Sequence, residues 1–171
     1  MAELSPQERL QPALLDRLTD DEPDKNVEAT DKRVLNKAQM RQAVLRDLAW
    51  LFNTTELGSG EDLSGTPRVQ RSVLNFGLPA LAGESASALD PTDLERGVRE
   101  AILAYEPRIL PSSLRVRTIV TETQLDQHNV VSVEIEGFLW AQPVPLALLL
   151  RTELDLETGR VEITDLAKSR A

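Results

Sequence analysis

The spacing of apolar residues changes at about residue 112 of this 171-residue chain. Before that point, apolar side chains recur every three or four residues, which is typical of one buried face of an α-helix. After it, apolar and polar residues alternate, which is typical of strands with one buried face. Helices followed by strands predict an α+β fold, in which N-terminal helices pack on one face of an antiparallel β-meander of about four strands.

The N-terminal segment carries a narrow apolar stripe. Leu10, Leu14 and Leu18 are spaced four residues apart, and Ser5 followed by Pro6 is a helix-start signal. So short a helix needs something to pack on. It either folds back on its own domain or docks on a partner, and the sequence leaves both readings open.

An acidic stretch separates this segment from the rest of the chain. Residues 19–31 include six acids, one Lys and one Pro, a composition typical of a linker or loop. We therefore predict a docking helix and acidic linker at residues 1–30 and a single α+β domain at residues 31–171.

Three further helices are predicted before the strands. The first runs from a cap at Asp31 to about Asn53, and the second is short and opens at Thr66-Pro67. The third begins at Asp90-Pro91 and ends at Pro107.

The last predicted strand is a candidate interaction edge. It contains Val161 and Ile163 and is charged near both ends. Edge strands expose unpaired backbone groups, so the charges either protect this edge or the edge accepts a strand from another chain.

Composition removes several classes of function. The chain has a net charge of −9, no cysteine and one histidine, His128. These values exclude a disulfide scaffold, a thiol nucleophile and a multi-histidine metal site, and they argue against nucleic acid as the main partner. We predict no cofactor and no metal. The apolar run from Val144 to Leu150 is too short to cross a bilayer, so we expect a cytoplasmic protein.

Glu106-Pro107-Arg108 is the most conspicuous polar cluster. Pro107 directs Glu106 out of helical conformation, which fixes an acid and a base at a rigid corner. Glu106 is a candidate general acid of a glycosidase, a candidate structural ion pair, or part of a recognition element in which Arg108 offers a bidentate fork. The sequence supplies no second carboxylate in a comparable setting, which disfavours the enzymatic reading.

Several blocks together resemble the TssE family of type VI secretion baseplate subunits, itself similar to the phage-tail wedge protein long labelled lysozyme-like. The blocks are LLDRL at 14–18, VLRDLAWLFNT at 44–54, SVLNFGLP at 72–79, YEPRI at 105–109, IEG at 135–137 and LDLETG at 154–159.

The resemblance implies a non-enzymatic sheath initiator without a catalytic residue. Such a protein binds the wedge subunits TssF and TssG and starts polymerisation of the TssB–TssC contractile sheath, where strands are donated between neighbours. It would be cytoplasmic and recruited to a baseplate docked at the inner membrane.

Carried onto this chain, the resemblance assigns the corner at Glu106, Pro107 and Arg108 to the wedge contact. The edge at Val161 and Ile163 would face the sheath, and the Leu10, Leu14 and Leu18 helix would be a further docking element. The alternative is a muramidase-like peptidoglycan hydrolase that uses Glu106.

Overall fold

The computed structural model of the chain describes residues 13–19, 24, 35–81, 89–119, 130–141 and 144–166. The helices are α1 Leu14–Leu18, α2 Lys37–Phe52, α3 Pro67–Gln70 and α4 Pro91–Tyr105. The strands are β1 Arg115–Ile119, β2 Val130–Leu139, β3 Leu146–Asp155 and β4 Val161–Asp165. This order confirms the predicted α+β class.

The four strands form one antiparallel sheet in the order β1-β2-β3-β4, which confirms the meander. Alternate residues of β3 are buried, as the sequence pattern predicted. Helices α2 and α4 bury their apolar stripes in the same core as the sheet. The centre of that core consists of fully buried aliphatic side chains, among them Val44, Leu48, Ile102, Ile135 and Leu150.

The predicted start of α2 at Asp31 is wrong. Leu35 and Asn36 are not helical, and Asn36 caps a helix that begins at Lys37. The Asn36 side chain accepts from the Gln39 N–H at 2.9 Å, and Gln39 Oε1 accepts from the Asn36 N–H at 2.9 Å. This reciprocal capping box satisfies two backbone donors, which Asp31 cannot do from outside the helix.

The continuous N-terminal helix predicted from Ser5 is also wrong, because Ala13 is extended and α1 begins only at Leu14. Pro12 precedes Ala13 in the sequence and has no N–H to continue a helix. Asp16 caps the new start, since its Oδ2 accepts from the Ala13 N–H at 3.2 Å. Ser5 and Leu10 lie outside the described residues.

Residues 54–78 form a closed loop between α2 and α4. The predicted short helix divides into α3 and a single 3-10 turn at Val73–Asn75. The loop ends meet where Leu78 N–H donates to Thr54 O at 2.8 Å. Gly77 adopts a φ of 142° beside this contact, a conformation open to glycine but not to larger residues.

Candidate protein-interaction site

The predicted corner lies where α4 ends and the chain turns into the sheet. The Glu106 N–H donates to Ile102 O at 2.8 Å and closes the last turn of α4. Pro107 then redirects the chain, and the Trp140 N–H donates to Arg108 O at 2.7 Å beyond the end of β2. The corner is therefore fixed by backbone bonds on both sides.

Glu106 and Arg108 form an ion pair inside this corner. Glu106 Oε1 accepts from Arg108 Nε at 2.7 Å and from the Arg108 backbone N–H at 3.1 Å, while Oε2 accepts from Arg108 Nη2. Asp47 of α2 completes the arrangement, because its Oδ2 accepts from Arg108 Nη2 at 2.6 Å. Residues far apart in sequence thus hold the guanidinium in one orientation.

The ion pair continues to α1 through Arg46. Arg46 Nε donates to Asp47 Oδ1 at 2.9 Å, and Arg46 Nη1 donates to Asp16 Oδ1 at 2.6 Å. The Arg46 guanidinium also lies 5.1 Å from the ring centroid of Trp50, within cation–π range. We call the five charged residues the corner network: Asp16, Arg46, Asp47, Glu106 and Arg108.

The two arginines of the corner network remain charged. Burial by itself lowers the pKa of Arg108, but hydrogen bonds and charge from Glu106, and then from Asp47, outweigh it and raise the pKa above its ordinary value. The hydrogen bond to Asp16 is the main reason why the pKa of Arg46 is also raised. Both guanidinium groups therefore keep their positive charge over the whole physiological pH range.

This geometry favours the structural and recognition readings of Glu106 over the catalytic one. Glu106 is 3% exposed, and both of its carboxylate oxygens accept hydrogen bonds from Arg108. A general acid needs a proton and access to substrate, and this carboxylate is held as the partner of a cation. Within the described ranges, no three metal-ligating side chains come together.

A groove of about 530 Å³ lies beside the corner network. Its apolar lining comes from Ala13, Leu15, Trp50, Phe76, Tyr105 and Pro107. Trp50 is 51% exposed, and Trp140, next to Arg108 through its backbone, is 50% exposed. The sequence pattern assigns neither tryptophan to a site, although Trp50 lies off the apolar stripe of α2, as an outward-facing residue does.

The predicted docking helix contacts the domain through Asp16 rather than through Leu14 and Leu18. Asp16 points inward to Arg46, whereas Leu14 and Leu18 are 72% and 73% exposed. The described part of the predicted leucine stripe therefore faces away from the domain.

The predicted interaction edge is partly covered by α2. Asn53 Oδ1 accepts from the Val161 N–H at 3.0 Å, and Asn53 Nδ2 donates to Val161 O at 2.9 Å. Ile163 pairs with Thr152 of β3 and is partly buried. The two predicted edge residues thus differ in how available they are to an added strand, because the backbone N–H and C=O of Val161 are already hydrogen-bonded to Asn53.

No helix in the described part of the chain has both the length and the apolar character needed to span a membrane.

The fold and the corner together define a small α+β domain whose main polar site is a rigid, internally paired corner. A sequence model of the family "Baseplate wedge protein gp25" matches residues 38–144, which is more than half of the chain. The chain belongs to this baseplate wedge protein family, and the family resemblance found in the sequence is confirmed.

One solved structure is similar, a chain of "The baseplate complex from the type VI secretion system". The sequences are 22% identical, the TM-score is 0.45, and the match covers 68% of this chain and 93% of that one. No curated protein sequence matches this chain.

Proposed function

We propose that the chain is a structural baseplate subunit of a type VI secretion system. In this role it binds the wedge subunits TssF and TssG and starts polymerisation of the TssB–TssC sheath. The observation that carries the proposal is the pairing of Arg108 with both Glu106 and Asp47, in a chain that belongs to the baseplate wedge family. That pairing builds a fixed surface feature instead of a reactive group.

A fixed corner suits recognition of the wedge subunits. The Arg108 side chain is 22% exposed, and its orientation is set by Glu106 and Asp47 before any partner arrives. Binding therefore loses little side-chain entropy. Exposed Trp50 lines the groove beside Arg108, and exposed Trp140 is bonded to the Arg108 backbone. Tryptophan and arginine are enriched among the residues that dominate interface energies.

Strand addition suits the contact with the sheath. Strand β4 is an edge of the antiparallel sheet, and backbone hydrogen bonds there supply affinity without a deep pocket. The exposed Leu14 and Leu18 supply a further docking surface, which we assign to another baseplate subunit. We place the protein in the cytoplasm, on a baseplate docked at the inner membrane, and we retain residues 1–30 as the docking segment.

Co-expression with TssF and TssG tests the wedge contact. Arg108→Ala should reduce co-purification of the wedge subunits at least about tenfold, as expected for loss of a central arginine. Arg96→Ala is the matched control, because Arg96 forms an exposed pair with Asp93 on α4, and it should co-purify like wild type.

Because Arg108→Ala leaves the Glu106 carboxylate buried without its partner, a second variant guards against loss of the fold. Trp140→Ser changes an exposed residue beside the corner and should also weaken the complex. Wild-type complex yields with both folded variants would remove the corner from the wedge interface.

A further inference from the structure

The register of β3 and β4 decides which backbone groups of β4 point outward. Asp155 N–H donates to Arg160 O at 2.9 Å, and Leu166 N–H donates to Leu149 O at 3.0 Å. Hydrogen-bonded partners recur every two residues in an antiparallel ladder. The even-numbered residues of β4 therefore bond to β3, and the N–H and C=O groups of the odd-numbered residues, beginning with Val161, point away from the sheet.

Asn53 occupies the position where a neighbouring strand would pair with Val161. Its carboxamide both accepts from the Val161 N–H and donates to the Val161 carbonyl. These are the two bonds that a hydrogen-bonded residue pair exchanges across an antiparallel ladder. The side chain thus supplies the donor and the acceptor that one residue of an added strand would supply.

Helix α2 also holds the other end of β4. Arg41 Nε and Nη2 donate to the two carboxylate oxygens of Asp165 at 2.6 Å each, and Arg41 Nη1 donates to Ala147 O at 2.7 Å. Asn53 is the C-cap of α2 and lies 12 residues after Arg41, about 18 Å along the helix axis, which is about the length of a five-residue strand. Ile163 lies between the two clamped ends of β4.

The opposite edge of the sheet is closed in a different way. The Thr118 N–H of β1 donates to the carboxylate oxygen Oε1 of Glu95 in α4 at 2.7 Å. A charged acceptor makes a stronger bond than a neutral one, so the β1 edge is the harder of the two to open. At β4 the cap is a neutral carboxamide on the exposed residue Asn53, which water or a peptide can replace.

We propose that the Asn53 side chain occupies the hydrogen-bonding position of an incoming strand and can be displaced from it. Its release from Val161 then allows the sheath strand to pair along the whole of the β4 edge. The occupant is an extended peptide, because only a strand restores both vacated backbone bonds at the correct spacing. The proposal rests on the proposed function, since it specifies how strand addition begins. Asn53 then sets the rate at which sheath assembly starts on this subunit.

Amide hydrogen exchange of the full chain tests the cap without any partner. Asn53→Ala should make the Val161 amide exchange roughly tenfold faster, because its acceptor is lost. Asn36→Ala is the matched control, since it removes the cap at the other end of the same helix and should leave the relative protection of Val161 unchanged. Unaltered Val161 exchange in folded Asn53→Ala would overturn the proposal.

Sheath assembly from purified TssB and TssC tests the consequence. Asn53→Ala should shorten the lag before assembly several-fold relative to wild type and Asn36→Ala. Asn53→Asp is the second variant; it keeps an acceptor for the Val161 N–H but places a negative charge against the Val161 carbonyl, and it should also shorten the lag. An unchanged or longer lag with both variants would overturn the proposal.

Ile163→Pro separates this proposal from the proposed function. Proline removes an outward N–H from β4 and should block sheath assembly if strands add at this edge. If Ile163→Pro blocks assembly while the Asn53 variants do not accelerate it, strand addition stands and the displaceable cap is wrong. If Ile163→Pro also assembles normally, strand addition at β4 is wrong and the cap proposal falls with it.

Discussion

Asp47 Oδ2 accepts a hydrogen bond from Arg108 Nη2 at 2.6 Å and so joins α2 to a corner that lies 61 positions later in the chain. The other oxygen of the same carboxylate binds Arg46, which reaches α1 through Asp16. One side chain thus connects three elements that the sequence separates widely. Its removal should affect both the stability and the shape of the corner.

Asp47→Ala should lower the free energy of unfolding by about 2 kcal/mol, because two partly buried arginines lose an acceptor. Urea denaturation measures the change. Glu162→Ala removes an acid from an exposed pair with Arg160 and should change stability by no more than about 0.5 kcal/mol. Equal losses in the two variants would show that the corner network contributes no more than a surface ion pair.

Glu106→Gln should be indistinguishable from wild type in a peptidoglycan-release assay, with both at background. The reason is that the wild-type carboxylate is buried and fully engaged by Arg108. A lysozyme reaction run in parallel supplies the positive control. Release by the wild-type protein that disappears in folded Glu106→Gln would establish the hydrolase and replace the scaffold role.

Gly77→Ala should destabilise the domain by about 3 kcal/mol, since the residue has a φ of 142° and a Cβ would lie 2.4 Å from Thr54 O. Thermal unfolding measures the loss. Gly65→Ala is the matched control, because a Cβ at Gly65 meets nothing within 4 Å, and its change should stay within about 0.5 kcal/mol. A Gly77→Ala protein as stable as Gly65→Ala would contradict the strained geometry.

Leu14→Ser combined with Leu18→Ser should leave the unfolding transition nearly unchanged, because both side chains face solvent. The same variant should lose binding to the baseplate subunit that the N-terminal helix contacts, which pull-down from co-expressed baseplate subunits measures. Leu48→Ala serves as the contrast, since this fully buried residue should cost about 3 kcal/mol. Normal baseplate binding by the double variant would show that α1 does not dock on another baseplate subunit through Leu14 and Leu18.

Asp155→Asn should reduce stability at neutral pH and lose this effect in acid. Hydrogen bonds from Thr158 and from the backbone N–H of Glu157 hold the pKa of Asp155 below its ordinary value. A lowered folded-state pKa contributes stability above the unfolded-state pKa, and this contribution disappears as pH falls through the folded-state value. Urea midpoints of the two proteins should therefore converge below about pH 4. If the difference between the two urea midpoints stays constant from pH 7 to pH 3, the stabilisation by Asp155 comes from hydrogen bonding alone and not from its ionised carboxylate.

The sequence predicts the sheet and α4 well because local signals there agree. Alternating residues in β3, and an Asp90-Pro91 start with a Pro107 stop for α4, are all encoded within a few residues of the feature. The start of α2 was missed because Asp31, a residue type that commonly caps helices, precedes the true cap Asn36 in the sequence. Only Asn36 is followed three residues later by a glutamine, whose side chain accepts a hydrogen bond from the Asn36 N–H and completes the capping box.

The site was predicted only in part, for a physical reason. Pro107 identifies a corner, but nothing near it in sequence indicates that Asp47 and Arg46 complete the ion pairing. The engagement of Val161 by Asn53 likewise joins residues 108 positions apart. Such contacts follow from how α2 lies against the sheet, and no spacing rule within one element encodes them.

The ion pair between Arg41 and Asp165 has a consequence for synthesis of the chain on the ribosome. The meander joins neighbours in sequence, so each hairpin can form soon after its second strand emerges. This ion pair, however, links residues 124 positions apart, and Asp165 is among the last of the described residues to be synthesised. The face of α2 that carries Arg41 therefore lacks this partner until translation has passed β4, and it stays exposed in the nascent chain until then.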